Sequence, residues 1–229
     1  MLVNYRVDAD LMGKFLPAPF RPKLHRGFAI AGICLIRLEG IRPAGLPAFL
    51  GISSENAAHR IAVEWDTPAG ERREGVYIPR RDTGSRLNQL VGGRIFPGEH
   101  QFARFQITDD GTRVDFSMKS SDGKVSVKVC GSDTDSLPAT SSFDSLEESS
   151  QFFEGGSLGY SVTRDAGRLD ALRLKTLQWT VRGFAVESVE PSFFADRTIF
   201  PAGAVEFDHA LIMRDIPHEW HQEAEMISG

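Results

Sequence analysis

The sequence predicts a mainly β protein whose strands close, or nearly close, into an antiparallel barrel. Three observations carry this. Short runs of alternating apolar and polar residues recur along the 229-residue chain, with turn residues every ten or so positions. The plainest runs, HQFARFQI, TRVDFSMKS and KVSVKVCG, are joined by DDG and SDGK, which read as hairpin turns and so as an antiparallel meander. No strand–helix–strand unit repeats, and about ten strands of this character favour a closed sheet over an open one.

Taken in order, residues 1–7 alternate as a first strand, and Asp8 is placed to cap a short helix in ADLMGKFL that stops at Pro17. Strands follow at 27–38, 57–67 and 74–81. The segment SRLNQLVG, from about 85 to 92, reads as a second helix ended by Gly92-Gly93. In the meander, Val114, Phe116 and Met118 share one face while Asp115, Ser117 and Lys119 share the other. Val125, Val127 and Val129 repeat the pattern, so one face is dry. A third helix, SLEESSQFF, follows Ser141, Ser142 and Phe143 and ends at Gly155-Gly156. Strands at 157–164, at 169–190 (long enough for two) and at 203–214 complete the set. GSDTDSLPATSS, residues 131–142, reads as a flexible loop, a lid or crossover, because strands of one character flank it. Residues 215–229 read as a C-terminal tail, and 1–229 as one domain.

A hydrophobic content of 41% suits a packed soluble core. The net charge of -5, spread without long single-sign runs, offers no footprint for nucleic acid or an anionic membrane. MLVNYRVDAD lacks the basic start and small-residue cleavage site of a signal peptide, and no stretch approaches the roughly 20 apolar residues of a membrane span. A cytoplasmic location is expected. Of the two cysteines, Cys34 sits in the apolar run FAIAGICLI, which predicts a buried thiol rather than a redox or metal site.

No GxGxxG, P-loop, HExxH, paired CxxC or GxSxG is present, so candidate chemistry rests on weaker clusters. In SSENAAHR, Glu55 and His59 are four residues apart and suit proton transfer if they border a cavity; the plain alternative is a polar loop entering a strand. In YIPRRDT, Pro79 marks a strand edge or bulge, and Arg80 and Arg81 point to opposite faces. One of them can then reach a substrate carboxylate; two solvated or ion-paired arginines are the alternative. Tyr77, beside them, is a further candidate for substrate contact. IPHEWHQEAE places His218 and His221 three residues apart, but no third ligand is specified, so it reads as a frayed amphipathic tail and no metal site is expected. In RIFPGEHQF, Gly98 permits a tight bend beside Glu99 and His100, neighbours that share a pocket only if the bend places them there.

Together these segments resemble the acetoacetate decarboxylase-like superfamily, in particular its uncharacterised YqjF-type branch, a domain of unknown function. NYRVDADLMGKFLPAPF is similar to the family's first strand, short helix and proline exit. The stretch from SSENAAHRIAVEW to GVYIPRRDTGSRLNQLVGGRIFP is similar to its central strands and the helix before the catalytic loop. FAVESVEPSFFADRTIFPAGAVEFDHALI is similar to its closing strands. The resemblance implies a cone-shaped antiparallel β-barrel around a central cavity, with a few short helices and often in an oligomer. It also implies a loop with a Schiff-base lysine, falling on FPGE. Pro97 matches that loop's proline, but Gly98 and Glu99 stand where the lysines would, so an imine on the usual residue is excluded. Glu55 matches a cavity glutamate of the family; a second cavity glutamate falls near Ala29, and the arginine ahead of the first strand has no counterpart.

Two readings stay open. In one, a small organic ligand, an oxo acid or another enolisable carbonyl compound, meets Glu55, Glu99 and His100 as acid/base groups with raised carboxyl pKa values. His59, Tyr77 and Arg80 or Arg81 hold it, for lyase or hydratase chemistry without a cofactor. In the other, the barrel is a non-catalytic binding or structural module that lost the decarboxylase chemistry. Long strand edges make a homo-oligomer compatible with either.

Overall fold

The structure, a computed structural model, describes residues 1–42, 45, 47, 49, 51–91 and 98–227. The elements in chain order are β1 (Leu2–Val7), α1 (Ala9–Phe15), β2 (Arg21–Pro22), β3 (Leu24–His25), β4 (Phe28–Ile41), β5 (Ile52–Asp66), β6 (Arg72–Thr83) and α2 (Arg86–Val91). They continue with β7 (His100–Asp109), β8 (Arg113–Ser120), β9 (Ser126–Thr134), α3 (Leu146–Glu154), β10 (Leu158–Val162), β11 (Arg168–Thr176), β12 (Arg182–Pro191), α4 (Ser192–Ala195), β13 (Val205–Ile212) and β14 (His218–Ile227). Asp8 caps α1 as expected, its carboxylate accepting from the Leu11 backbone N–H at 2.8 Å.

Nine strands close on themselves in the order β6-β7-β8-β9-β12-β13-β1-β4-β5, the β5–β6 pairing sealing the ring. This is the expected barrel, with one elaboration. Strand β5 takes one edge of β6 along its whole length, so β6 offers only the other edge to β7 and β10. Both pair in parallel, β10 at Val76–Ile78 and β7 at Arg81–Thr83. Strands β10, β11 and β14 therefore splay off the barrel as a flap.

Strand alternation decides what fills each side of the wall. Val3, Tyr5 and Val7, with Ala31, Ile33 and Leu35 opposite, point inward, where they meet Phe194 of α4 and Phe200. Tyr5 and Phe194 rings lie 4.8 Å apart, Phe194 and Phe200 5.7 Å, so this inner space is packed with aromatic side chains. The alternate residues Leu2, Ile30, Ala62 and Leu211 point outward, and α3 covers them with Phe153.

Three expectations are corrected. SSENAAHR is not a loop before a strand but the start of β5, because its small residues Ala57 and Ala58 pair with Leu35 and Cys34 of β4. Residues 218–227 are not a frayed tail: β14 pairs with β11, and Arg173–Glu223 at 2.6 Å and Arg168–Glu225 at 2.5 Å tie the two strands by opposite charges. Residues 131–134 belong to β9, and the end of the expected flexible loop is pinned, since Ser141 Oγ and the Ser142 N–H donate to the buried Asp208 carboxylate at 2.7 and 2.8 Å. The expected helix stop at Gly92-Gly93, and Pro97, lie outside the described residues.

Candidate functional site

A cavity of about 690 Å³ opens at one end of the barrel and extends over its outer wall, beneath the β10–β11–β14 flap and α3. Its lining comes from both faces of the wall: Leu35, Arg37 and Glu55 from the inward face, Cys34, Ala58 and Arg60 from the outward face. Register explains the second set. Leu2, Cys34, Ala58, Arg81 and His100 are Cα partners in succession across β1, β4, β5, β6 and β7, so they form one row across the wall. Ala58, the small residue in the middle, leaves space between Cys34 and Arg81.

The inward rim is charged but internally neutralised. Glu55 accepts from Arg37 Nε at 2.5 Å, Asp109 pairs with Arg214 at 3.1 Å, and Asp133 with Arg214 at 2.7 Å. The outward wall is different. Arg81 and Arg60 both line the cavity, and among the described residues neither has a carboxylate within ion-pair distance. Arg81 Nε donates to Ser161 Oγ at 2.9 Å, and burial pulls its guanidinium down to about 10, partly countered by the nearby Cys34 thiol. Arg60, 4% exposed, donates from Nε to Cys34 Sγ at 3.0 Å and from Nη2 to Asn4 Oδ1 at 2.6 Å, with its guanidinium 4.7 Å from the Phe153 ring centre. Its enclosed Nη1 has no partner among the described residues.

His100 is buried beside Arg81, both lining a small annex of about 30 Å³ with Asp82 and Trp220. Burial, and secondarily the Arg81 charge, push its imidazole down to about 4, so it is neutral at pH 7. His100 Nδ1 lies 3.1 Å from the Gly98 carbonyl, which only accepts, so Nδ1 carries the proton and Nε2 holds the lone pair.

The remaining candidates are placed elsewhere. Glu99 does not line the cavity; its Oε1 accepts from Gln101 Nε2 at 2.9 Å. Arg80 is chelated by Asp82 at 2.7 Å and Asp122 at 2.8 Å. His59 is wholly enclosed, its ring 4.7 Å from that of Phe193, and burial with the Arg80 charge behind it lowers it to about 3. Tyr77 lies in the aromatic interior 5.9 Å from Phe20, its phenol raised by burial. Cys34 is not the buried thiol that its apolar run predicts: the run alternates between faces, and Cys34 falls on the cavity side, half-buried.

Gly98, at the first of the lysine positions implied by the resemblance, has φ 87°, and a Cβ there would stand 2.5 Å from Ser161 Cβ. The absent side chain is what leaves room for Ser161, the residue that holds Arg81. Lys23 does line the cavity, but its ammonium is engaged by Glu74 at 2.7 Å and lies 4.4 Å from the Phe152 ring centre. No group of three or more His, Cys, Asp or Glu among the described residues is arranged to hold a metal ion.

A second polar cluster escaped sequence reasoning. Ser149 Oγ lies 2.7 Å from His209 Nε2, and His209 Nδ1 lies 2.5 Å from Asp208 Oδ1. The residue types and order match a hydrolytic triad, yet all three are 0% exposed and none lines the cavity, so no substrate reaches Ser149. The network instead pins α3 to β13.

The barrel has an acetoacetate decarboxylase-like fold. An acetoacetate decarboxylase-like enzyme from Sphingomonas wittichii superposes with a TM-score of 0.53 at 13% identity, covering 100% of this chain and 87% of that one. The acetoacetate decarboxylase of Legionella pneumophila gives 0.55 at 11%, over 100% and 83%. The enduracididine biosynthesis enzyme MppR, solved with the condensation product of pyruvate and imidazole 4-carboxaldehyde, gives 0.56 at 16%, over 92% and 81%. At such identities the likeness is one of fold. No curated protein sequence matches. The chain belongs to DUF2071, an uncharacterized conserved protein family whose model matches residues 1–210.

Proposed function

We propose that the cavity binds a small organic acid, an oxo acid by class, whose carboxylate sits between the guanidinium groups of Arg81 and Arg60. The observation that carries this is a pair of arginines in a cavity wall, Arg60 enclosed and Arg81 half-buried, with no acidic partner among the described residues. Buried guanidinium groups are costly without a counter-charge, and a carboxylate supplies one in a geometry that suits two-point contact. That MppR holds a pyruvate-derived molecule supports the ligand class.

His100 adds the acid/base element. As a neutral imidazole lining the annex next to Arg81, with no partner for Nε2 among the described residues, it can take a proton from the carbon alpha to the carbonyl of a ligand that reaches from the cavity into the annex, the opening step of lyase and hydratase chemistry. Glu55 sits at the mouth, where its Arg37 partner can release it to a ligand. A binder without chemistry would use the same two arginines and leave His100 idle.

The test is thermal denaturation of the purified protein against oxo acids, hydroxy acids and their neutral amides. Acids are expected to raise the melting temperature, amides not, and Arg81→Met or Arg60→Met to remove the effect. Loss of pyruvate methyl protons in D₂O, abolished by His100→Asn, would make the protein an enzyme; no exchange leaves a binder. Borohydride with pyruvate is expected to leave the mass unchanged, and an adduct on Lys23 would replace this reading with imine chemistry.

A further inference from the structure

Cys34 is the one thiol among the described residues in direct contact with an arginine of the outward cavity wall, Arg60. Its sulfur accepts from Arg60 Nε at 3.0 Å, it lies in one row with Ala58 and Arg81, and Arg60 Nη1 beside it is enclosed and without a partner among the described residues. The thiol is half-buried and faces the cavity. Two guanidinium groups next to a partly accessible sulfur draw anionic reagents to it.

We infer that Cys34 is a covalent capture site: its sulfur adds to the carbonyl carbon of an oxo acid whose carboxylate rests on Arg60 and Arg81. The S–C bond forms as the carbonyl π pair moves to oxygen, and the thiol proton ends on that oxygen, giving a thiohemiketal. No electrons leave the pair of reactants, so the step needs no oxidant and reverses on release. The inference rests on the organic-acid reading of the cavity.

The second cysteine is an internal control. Cys130 lies 3.7 Å from the Glu187 carboxylate, its thiol is pushed up to about 11, first by its hydrogen bond with Asp115, and the Arg113 guanidinium that donates to its sulfur at 2.7 Å is neutralised by ion pairs with Glu187 and Asp115. Iodoacetate and iodoacetamide differ in charge but hardly in size. On the intact protein, with each site quantified by peptide mass spectrometry, the iodoacetate-to-iodoacetamide rate ratio at Cys34 is expected to exceed that at Cys130 by about tenfold or more. Arg81→Met, which leaves the Arg60–Cys34 contact in place, should bring the ratio down towards that of Cys130. Pyruvate should shield Cys34 and leave Cys130 unaffected. With pyruvate labelled at the carbonyl carbon, a new sp³ carbon resonance should appear and be missing in Cys34→Ser.

A Cys34 ratio no higher than that of Cys130 overturns the inference. If pyruvate stabilises wild type and Cys34→Ser equally and no sp³ resonance appears, the capture step is wrong while the organic-acid reading stands. If the ratio is high but pyruvate neither stabilises nor shields, the organic-acid reading falls and takes the capture step with it.

Discussion

Replacing Arg81 by methionine should make the empty protein more stable and at the same time insensitive to organic acids. Among the described residues Arg81 makes one hydrogen bond, from Nε to Ser161 Oγ at 2.9 Å, and burial lowers its guanidinium to about 10. A fall of that size from the ordinary value disfavours the folded, charged state by about 3 kcal/mol. Methionine keeps most of the apolar stem, removes the charge, and forfeits a hydrogen bond worth about 1 kcal/mol. The net expectation is a gain on the order of 2 kcal/mol, read as a higher urea midpoint by tryptophan fluorescence. Pyruvate at a hundred times its dissociation constant should stabilise wild type by about 2.7 kcal/mol and the variant not at all, so the two unfolding curves should nearly coincide or cross when the acid is saturating. If Arg81→Met is less stable than wild type by about 1 kcal/mol or more without acid, the charge is structurally satisfied and the argument fails. An unchanged pyruvate shift in the variant would refute it equally.

Gly98→Ala should cost about 2–5 kcal/mol, from a positive φ and a Cβ 2.5 Å from Ser161 Cβ, and should weaken acid binding through Ser161; a neutral urea midpoint would mean the loop simply moves. Because burial holds His59 near 3 and His100 near 4, the unfolded chain, whose histidines titrate near 6.5, takes up protons first. Stability is therefore full above about pH 6.5 and lost as the pH falls towards 4, and His59→Leu should flatten that limb of a midpoint-against-pH curve. Ser149→Ala should lower stability by about 1–3 kcal/mol by taking a partner from buried His209, with increased hydrogen exchange in α3; exchange unchanged there would deny the network its anchoring role.

By itself the sequence determined the barrel. The valines of β8 and β9 alternate so cleanly, and their turns are so short, that local chemistry leaves few other arrangements. It also marked Gly98 as the place where the lysine chemistry is missing, and offered Arg81 and His100 on equal terms with Glu55, His59, Tyr77, Arg80 and Glu99. What it could not show was which strands meet out of order. The parallel pairings on the free edge of β6, and the β14 strand read as a tail, are decided by contacts between segments far apart in the chain. Those contacts build the flap that turns the outer wall into a cavity. The same holds for Arg60 and Cys34. An arginine in NAAHRIAV and a cysteine in FAIAGICLI each look unremarkable, because the period of two says that they face away from their neighbours but not what they face. Only the register across β1, β4, β5, β6 and β7 places sulfur and guanidinium groups along one enclosed wall, where the cost of burying unpaired charge turns a packing arrangement into a site for an acid.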